Sequence, residues 1–269
     1  MSIQKAWKSE TTAKKYASLK KQFKYKELID IADLRKGQKV IDLCCGTGLA
    51  FPSLRKGIGD KGGIIGVDFS QTMLNEAKLS ASANNVKLVL VNAEDLSKVV
   101  KKKVDRVICN ISMHHLQIQK VFKEVSKVLK EEGLFIFNLP KSFQVKDEDP
   151  RWILFNKVLH EEIQKIVVKE KIGIKLPSKK RKYTLKQMKE MLGRGGLELK
   201  EYFEKQRGIK PEYRLESWIR VPALGEQFLP GLDHFIRTRI LQEAKEKVLQ
   251  KIGTAPFYQT MPYFIVRKR

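Results

Sequence analysis

Long apolar runs are missing from this chain. The longest, such as Leu134 to Phe137, fall far short of the ~20 residues a membrane-spanning helix needs, and the N-terminus starts Met-Ser-Ile-Gln-Lys-Ala-Trp without a signal-like apolar core. Both absences predict a soluble cytoplasmic protein with no transmembrane segment. Cysteine is scarce: three residues supply no disulfide framework, and two of them, Cys44 and Cys45, are adjacent. The four histidines, His114, His115, His160 and His234, lack the spacing of a structural zinc site, so no metal is expected. Internal repeats and low-complexity tracts are absent. Acidic residues are outnumbered, 30 against 54 basic ones, and the formal net charge of +24 creates a potential able to draw RNA, anionic headgroups or an acidic small molecule. The lysines are spread along the whole chain. Only short clusters stand out, at Lys101-Lys102-Lys103, Lys179-Lys180-Arg181-Lys182 and Arg267-Lys268-Arg269, so a plain solvated surface explains the charge equally well.

What is present begins at Val40-Ile41-Asp42-Leu43-Cys44-Cys45-Gly46-Thr47-Gly48-Leu49. An apolar strand that stops at a glycine-rich turn lets the backbone approach a ligand, because glycine has no Cβ to hold it off. The order Asp-x-x-x-Gly-x-Gly departs from the dinucleotide fingerprint, where a third Gly or Ala follows; Phe51 takes that place here and weakens an NAD-dependent reading. A second buried strand, Ile64 to Val67, ends at Asp68, where a carboxylate can accept from ribose hydroxyls. A third, Leu88 to Val91, runs into Asn92-Ala93-Glu94-Asp95 and offers a carboxylate to an exocyclic amine. A fourth starts at Val104, reaches Asn110 at its end and passes into Ser112-Met113-His114-His115.

Together these segments resemble class I S-adenosylmethionine (SAM) dependent methyltransferases. Asp42 to Gly48 is similar to their first motif, Gly66-Val67-Asp68-Phe69-Ser70 to the second, Ala93-Glu94-Asp95-Leu96 to the third, and Val128 to Gly133 to the turn before the fifth strand. Asp42 to Gly48 and Asp68 to Met73 are most similar to the ubiquinone and menaquinone C-methyltransferases. The usual residues of those enzymes after the fourth strand are replaced here by Asn110 to His115. The likeness covers roughly residues 39 to 140. It implies a Rossmann-like, seven-stranded, mostly parallel α/β sheet with an antiparallel edge hairpin, and SAM as cofactor. It also implies a site: Asp42 near the cofactor's ammonium group, Cys44, Gly46 and Gly48 around its amino-acid part, and Asp68 on the ribose. Phe69 and Met73 would flank the adenine, Ala93, Glu94 and Asp95 would line its amine, and Asn110 would stand where the methyl group faces the acceptor.

Organisation along the chain follows from periodicity and punctuation. Residues 1–36 read as a helical segment, with Trp7, Tyr16, Leu19 and Phe23 among lysines; in relatives such a segment covers the cofactor pocket. Residues 37–141, 183–209 and 260–269 form the expected core. Gln71 to Ala81 and Gln119 to Leu129 are amphipathic helices, Thr184 caps a helix running to Leu192, Leu197 to Phe203 is a strand, and Pro262 to Val266 is the last strand. Residues 142–182, with a helix from Arg151 to Lys171, and 210–259, with a helix from Asp233 to Ile252, are expected to be substrate-recognition caps, because an edge hairpin normally needs only ~2 to 5 loop residues. A dimer interface or structural padding is the competing expectation for these insertions.

Function follows from the same residues. Imidazole titrates near neutrality, so His114 and His115 are candidate general bases, with helix capping as the competing role. Cys44 and Cys45 suit small buried packing positions better than nucleophiles. Tyr16, Trp218, Tyr258 and Tyr263 can line an acceptor pocket or belong to the core. The leading expectation is methyl transfer to a small-molecule or lipid-like acceptor. RNA methylation on the basic surface is an alternative, against which stands the lack of an Asn-Pro-Pro-Tyr signature after the fourth strand. A non-catalytic SAM-binding partner protein is the other.

Overall fold

The computed structural model describes residues 3–19, 25–81, 85–140, 143–145, 148–174 and 182–269. Phe23, Pro177, the basic cluster at 179–181 and the cap residues 142, 146–147 and 175–181 therefore lie outside the described residues. The chain divides into two compact units. One draws on 1–22, 145–179 and 206–260, the other on 23–144, 180–205 and 261–269.

The second unit is built on one sheet. The strands of that sheet are β1 (Lys39–Leu43), β2 (Gly63–Asp68), β3 (Val86–Leu90), β4 (Val104–Cys109), β5 (Leu129–Asn138), β6 (Leu197–Ile209) and β7 (Phe257–Lys268), in the order β3-β2-β1-β4-β5-β7-β6, with residues 206–209 of β6 and 257–260 of β7 falling in the first unit. The neighbours β1–β2, β2–β3, β1–β4 and β4–β5 pair in parallel, and β7 runs antiparallel to β5. Val40 to Leu43 are all buried, as a strand covered on both faces requires. The expected turn at Val128 to Gly133 is an irregular excursion inside β5, where the register against β4 jumps from Val104↔Leu129 to Arg106↔Leu134. Pro262 is tolerated within β7 because pairing with β5 begins only at Tyr263↔Asn138.

Short helices cover this sheet: α3 (Lys26–Ile31), α4 (Phe51–Ile58), α5 (Gln71–Ala77), α6 (Leu96–Val99), α7 (Ile118–Val128) and α9 (Leu185–Arg194). Thr184 caps α9 through a reciprocal capping box with Gln187. On the β5 side Phe135 and Phe137 stack at 4.8 Å, and Phe137 stacks on Phe264 of β7 at the same separation. Phe51, at the start of α4, fills the space that two glycines leave open. A Cβ on Gly66 would lie 2.5 Å from its Cζ, and one on Gly48 would lie 2.6 Å from its Cε2. The residue that breaks the dinucleotide fingerprint is thus the plug of the β1–β2 layer.

The first unit is helical. It holds α1 (Ile3–Trp7), α2 (Glu10–Ala17), α8 (Pro150–Lys169), α10 (Pro211–Arg220), α11 (Pro222–Phe228) and α12 (His234–Ile252). The N-terminal stretch is therefore split: α1 and α2 belong here, α3 to the sheet unit. Phe155, Leu159 and Ile163 of α8 pack with Leu215 and Trp218 of α10 and with Ile240, Leu241 and Val248 of α12. Helices α8 and α12 run in opposite directions, since Arg151 bonds the Ile252 carbonyl at one end and Arg239 pairs with Glu170 at the other. Arg237, only 1% exposed, staples the α11–α12 turn: it pairs with Glu226 and donates to the carbonyls of Leu229, Pro222 and Leu232. Among the described residues no helix is long and apolar enough to cross a membrane.

Gly66→Ala is expected to destabilise the chain by about 1–3 kcal/mol through overpacking against Phe51. Adding Phe51→Leu should recover part of that loss in urea melts; equal stability of Gly66→Ala and wild type would remove the plug from the argument.

Candidate functional site

Strand order reverses at β1, whose two neighbours, β2 and β4, lead off to opposite edges of the sheet. In open α/β sheets the crevice outside the carboxyl ends of strands at such a point is where ligands bind. The loop leaving β1 there is shaped by left-handed backbone at Cys44 (φ 62°), Gly46 (φ 53°) and Gly48 (φ 73°). Cys44 adopts this conformation without being glycine, which is uncommon and has a cost. The loop is pinned from β2: Cys45 N–H donates to the Val67 carbonyl at 2.9 Å, and Gly46 N–H to Asp68 Oδ2 at 2.9 Å. The other Asp68 oxygen accepts from Ser70 N–H at 3.0 Å, and Ser70 Oγ caps α5 through Met73 N–H. Asp68 thus organises the loop as well as ending its strand.

Asp42 is 3% exposed, and its Oδ2 is enclosed without a hydrogen-bond partner. Burial, and then the neighbouring Asp68 charge, push its carboxyl up to about 8. Burial also raises Asp68, opposed by the N–H groups of Ser70, Gly46 and Phe69. Thr47 Oγ1, between the two glycines, is likewise enclosed and unpartnered. Buried polar atoms are nearly always satisfied, so two orphans this close in sequence, Asp42 in β1 and Thr47 in the loop after it, are groups whose bonding a ligand can complete. An ammonium group suits the Asp42 carboxylate, and a hydroxyl or carboxylate suits Thr47 and the loop amides. The residues present therefore fit SAM. The Cys44 thiol is raised well above its ordinary range, first by a hydrogen bond with Cys109 at the end of β4 and then by burial; burial raises Cys45 too. Protonated thiols of this kind are poor nucleophiles.

The remaining strand ends separate the expected residues by role. Ala93 is buried in a short 3-10 turn (Ala93–Asp95) that Asn92 caps through Glu94 N–H. The Glu94 carboxylate turns to α7, accepting from Gln117 N–H at 2.9 Å, while Asp95 pairs with Lys98 at 2.7 Å and stays half-exposed. Of the two expected adenine flankers, Met73 is packed inside with 2% exposure and Phe69 is half-exposed, so Phe69 offers the face. Asn110 Oδ1 accepts from Asn138 Nδ2 at 2.7 Å, and Asn138 Oδ1 accepts from Ile111 N–H at 2.5 Å. This clamp holds the turn after β4, where Ile111 is left-handed at φ 52°. Asn138 was legible as the polar end of the apolar run Leu134–Phe137, but strand-tip logic stopped at the fourth strand. His114 is buried and His115 half-buried, with ring centroids 4.0 Å apart in the turn Met113–His115. Tyr263, in the sheet unit, donates to Glu27 at 2.9 Å; Tyr16, Trp218 and Tyr258 belong to the helical unit.

The Asp42 carboxyl lies above its ordinary 3.8 in the folded chain, so folding favours its protonated form and stability falls as pH rises from about 4 toward 8. Asp42→Asn removes that titration. Its melting temperature should exceed that of wild type increasingly over this range and level off above it; parallel pH profiles of the two proteins would contradict the assignment.

The methyltransferase domain family matches residues 34–203. An uncharacterised protein of Methanocaldococcus jannaschii is 28% identical over 202 residues, 70% of this chain and 73% of its own. A demethylmenaquinone methyltransferase of Staphylococcus aureus is 37% identical over 105 residues, 38% of this chain, and the match spans only 43% of that enzyme. Among solved structures, a SAM-dependent methyltransferase of Thiobacillus denitrificans in complex with S-adenosyl-L-homocysteine shares the fold with a TM-score of 0.53 at 16% identity, covering 92% of both chains. With its switch-point loop, its seven-stranded sheet and a family match over more than half its length, the chain belongs to the class I SAM-dependent methyltransferases.

Proposed function

We propose that this chain transfers a methyl group from SAM to a small organic or lipid-like acceptor, and that the helical unit recognises the acceptor. The observation that carries the cofactor half is the enclosed, unpartnered Asp42 Oδ2 beside the loop of Gly46 and Gly48. The acceptor half is supported by the similarity of the motif stretch to demethylmenaquinone methyltransferase and by the aromatic core of the helical unit.

SAM supplies a methyl group on a positively charged sulfur that leaves as a neutral thioether. Asp42 would hold the ammonium group, and the amides and Thr47 hydroxyl of the loop would hold the carboxylate. Asp68 would accept from the ribose hydroxyls with the lone pair that the N–H groups of Gly46, Ser70 and Phe69 leave over, since an ionised carboxylate has about four acceptor sites. Phe69 would flank the adenine, Asp95 would accept from its amine, and the Asn110–Asn138 clamp would fix the edge of the site nearest the acceptor. Orientation and exclusion of water supply most of the rate, as effective molarities of ~10⁵ M or more are available to aligned groups. His115, more exposed than His114, takes the acceptor's proton. A second reading, RNA as acceptor, is favoured by the net charge of +24. It requires binding that weakens steeply with salt.

Asp68→Asn keeps the side chain's shape but loses its charge. Calorimetric titration should show SAM affinity reduced by about 1.5–3 kcal/mol, the scale of hydrogen bonds to a charged group; an unchanged dissociation constant would refute the ribose role. His115→Ala should lower turnover by about 10²–10⁴-fold with SAM affinity intact. Full turnover in that variant at every pH would exclude His115 as the base.

A further inference from the structure

The helical unit contains two arginines, the buried Arg237 and the half-buried Arg214, that are satisfied in opposite ways. Every guanidinium nitrogen of Arg237 has an acceptor, one of them the Glu226 carboxylate. Arg214, in the first turn of α10, has no carboxylate partner among the described residues. Its Nη2 donates to the neutral Gln259 Oε1 at 2.9 Å, and its Nε is enclosed without any hydrogen bond. The guanidinium carbon lies 5.7 Å from the ring centroid of Trp152 and 5.8 Å from that of Trp218. Burial, and then the nearby positive charge of Arg207, lower its pKa to about 10, which leaves it cationic at neutral pH.

Among the described residues none supplies the missing negative charge. The N-cap of α10, Lys210, makes no side-chain cap bond, so the positive helix end adds to the cations, and Glu212 in the same turn is exposed. Two aromatic rings stabilise a guanidinium only in part, and a half-buried cation whose enclosed Nε has no acceptor is a costly arrangement for a purely structural role. Arg214 and Trp152 both keep part of their surface exposed. Nε is unused and Nη2 is held only by the neutral Gln259 amide, so a carboxylate or phosphate that displaces Gln259 would meet the side-on fork of the guanidinium, and indole faces suit an apolar or aromatic body next to it.

We propose that Arg214, bracketed by Trp152 and Trp218, binds the carboxylate or phosphate of an organic acid whose apolar or aromatic body lies against the indoles. This rests on the helical unit being the acceptor-recognition part, and it gives the acceptor an anionic handle that a neutral quinone lacks.

The test uses the full chain with Trp7→Phe, which leaves Trp152 and Trp218 as the only tryptophans of the original three. Indole emission is titrated with 3-phenylpropionate, phenyl phosphate and the neutral 3-phenylpropanol, while SAM binding is measured separately by calorimetry. One or both anions should give a saturable change, at least tenfold weaker in Arg214→Gln and less weakened in Arg214→Lys, with SAM affinity unchanged. The tighter anion identifies the handle as carboxylate or phosphate. Equal binding of the neutral alcohol, wild-type anion affinity in Arg214→Gln, or no saturable response to either anion would overturn the proposal. Should Arg214→Gln fail to fold, the anion-to-neutral ratio of the tryptophan background and the Arg214→Lys titration decide. Anion binding in a chain that never methylates an anionic acceptor would count against the acceptor-recognition reading and leave the anion site standing.

Discussion

Two buried carboxylates at adjacent strand tips set the terms for the rest of the structure. Asp42 and Asp68 stand at the ends of β1 and β2, each only a few per cent exposed, and the Asp68 charge adds to the cost of ionising Asp42. Asp68 is compensated by backbone amides and thereby fixes the loop that follows β1. Asp42 is left uncompensated. A chain selected for stability alone would place an apolar residue there, and on the proposed function the unpaired carboxylate is half of an interaction whose cationic half is the cofactor.

The same division of labour runs through the other strand ends. Groups that hold backbone are satisfied within the protein: Glu94 at the start of α7, Asn138 across to the turn after β4, Ser70 at the start of α5. Among the enclosed groups with an unused donor or acceptor, Asp42 and Thr47 stand five positions apart around the β1 turn of the sheet unit, and Arg214 lies in the helical unit. Phe51 links fold to site, because the ring that fills the gap beside Gly66 also packs against Gly48 in the loop.

Much of this was legible in the sequence wherever apolar runs ended at a polar residue. The tips at Asp42, Asp68 and Asn110 could be placed because the residues just before them, Val40–Ile41, Ile64 to Val67 and Val107 to Cys109, are short, mostly buried apolar runs. Strands β6 and β7 were underestimated for the opposite reason. After Phe203 the residues Glu204 to Arg207 are polar and partly or fully exposed, so no alternation betrays that the strand continues to Ile209. Side-chain commitments were less legible still. Nothing local indicates that Glu94 would turn to Gln117, 23 positions on, or that Arg214 would meet Gln259, 45 positions on, and Trp152 from an earlier helix. Neighbouring acids such as Glu94 and Asp95 are interchangeable as letters and become distinct only when tertiary structure gives one of them a partner.

The unpaired carboxylate of Asp42 has a direct thermodynamic signature. Its carboxyl titrates at about 8, so it is mostly protonated at pH 7 and must ionise to receive an ammonium group. Calorimetry of SAM binding at pH 7 in buffers of different ionisation enthalpy should therefore report release of about one proton, and Asp42→Asn should bind weakly with none released. Binding without proton release in the wild-type chain, or unimpaired binding in Asp42→Asn, would contradict the assignment of Asp42 as the cofactor's counter-ion.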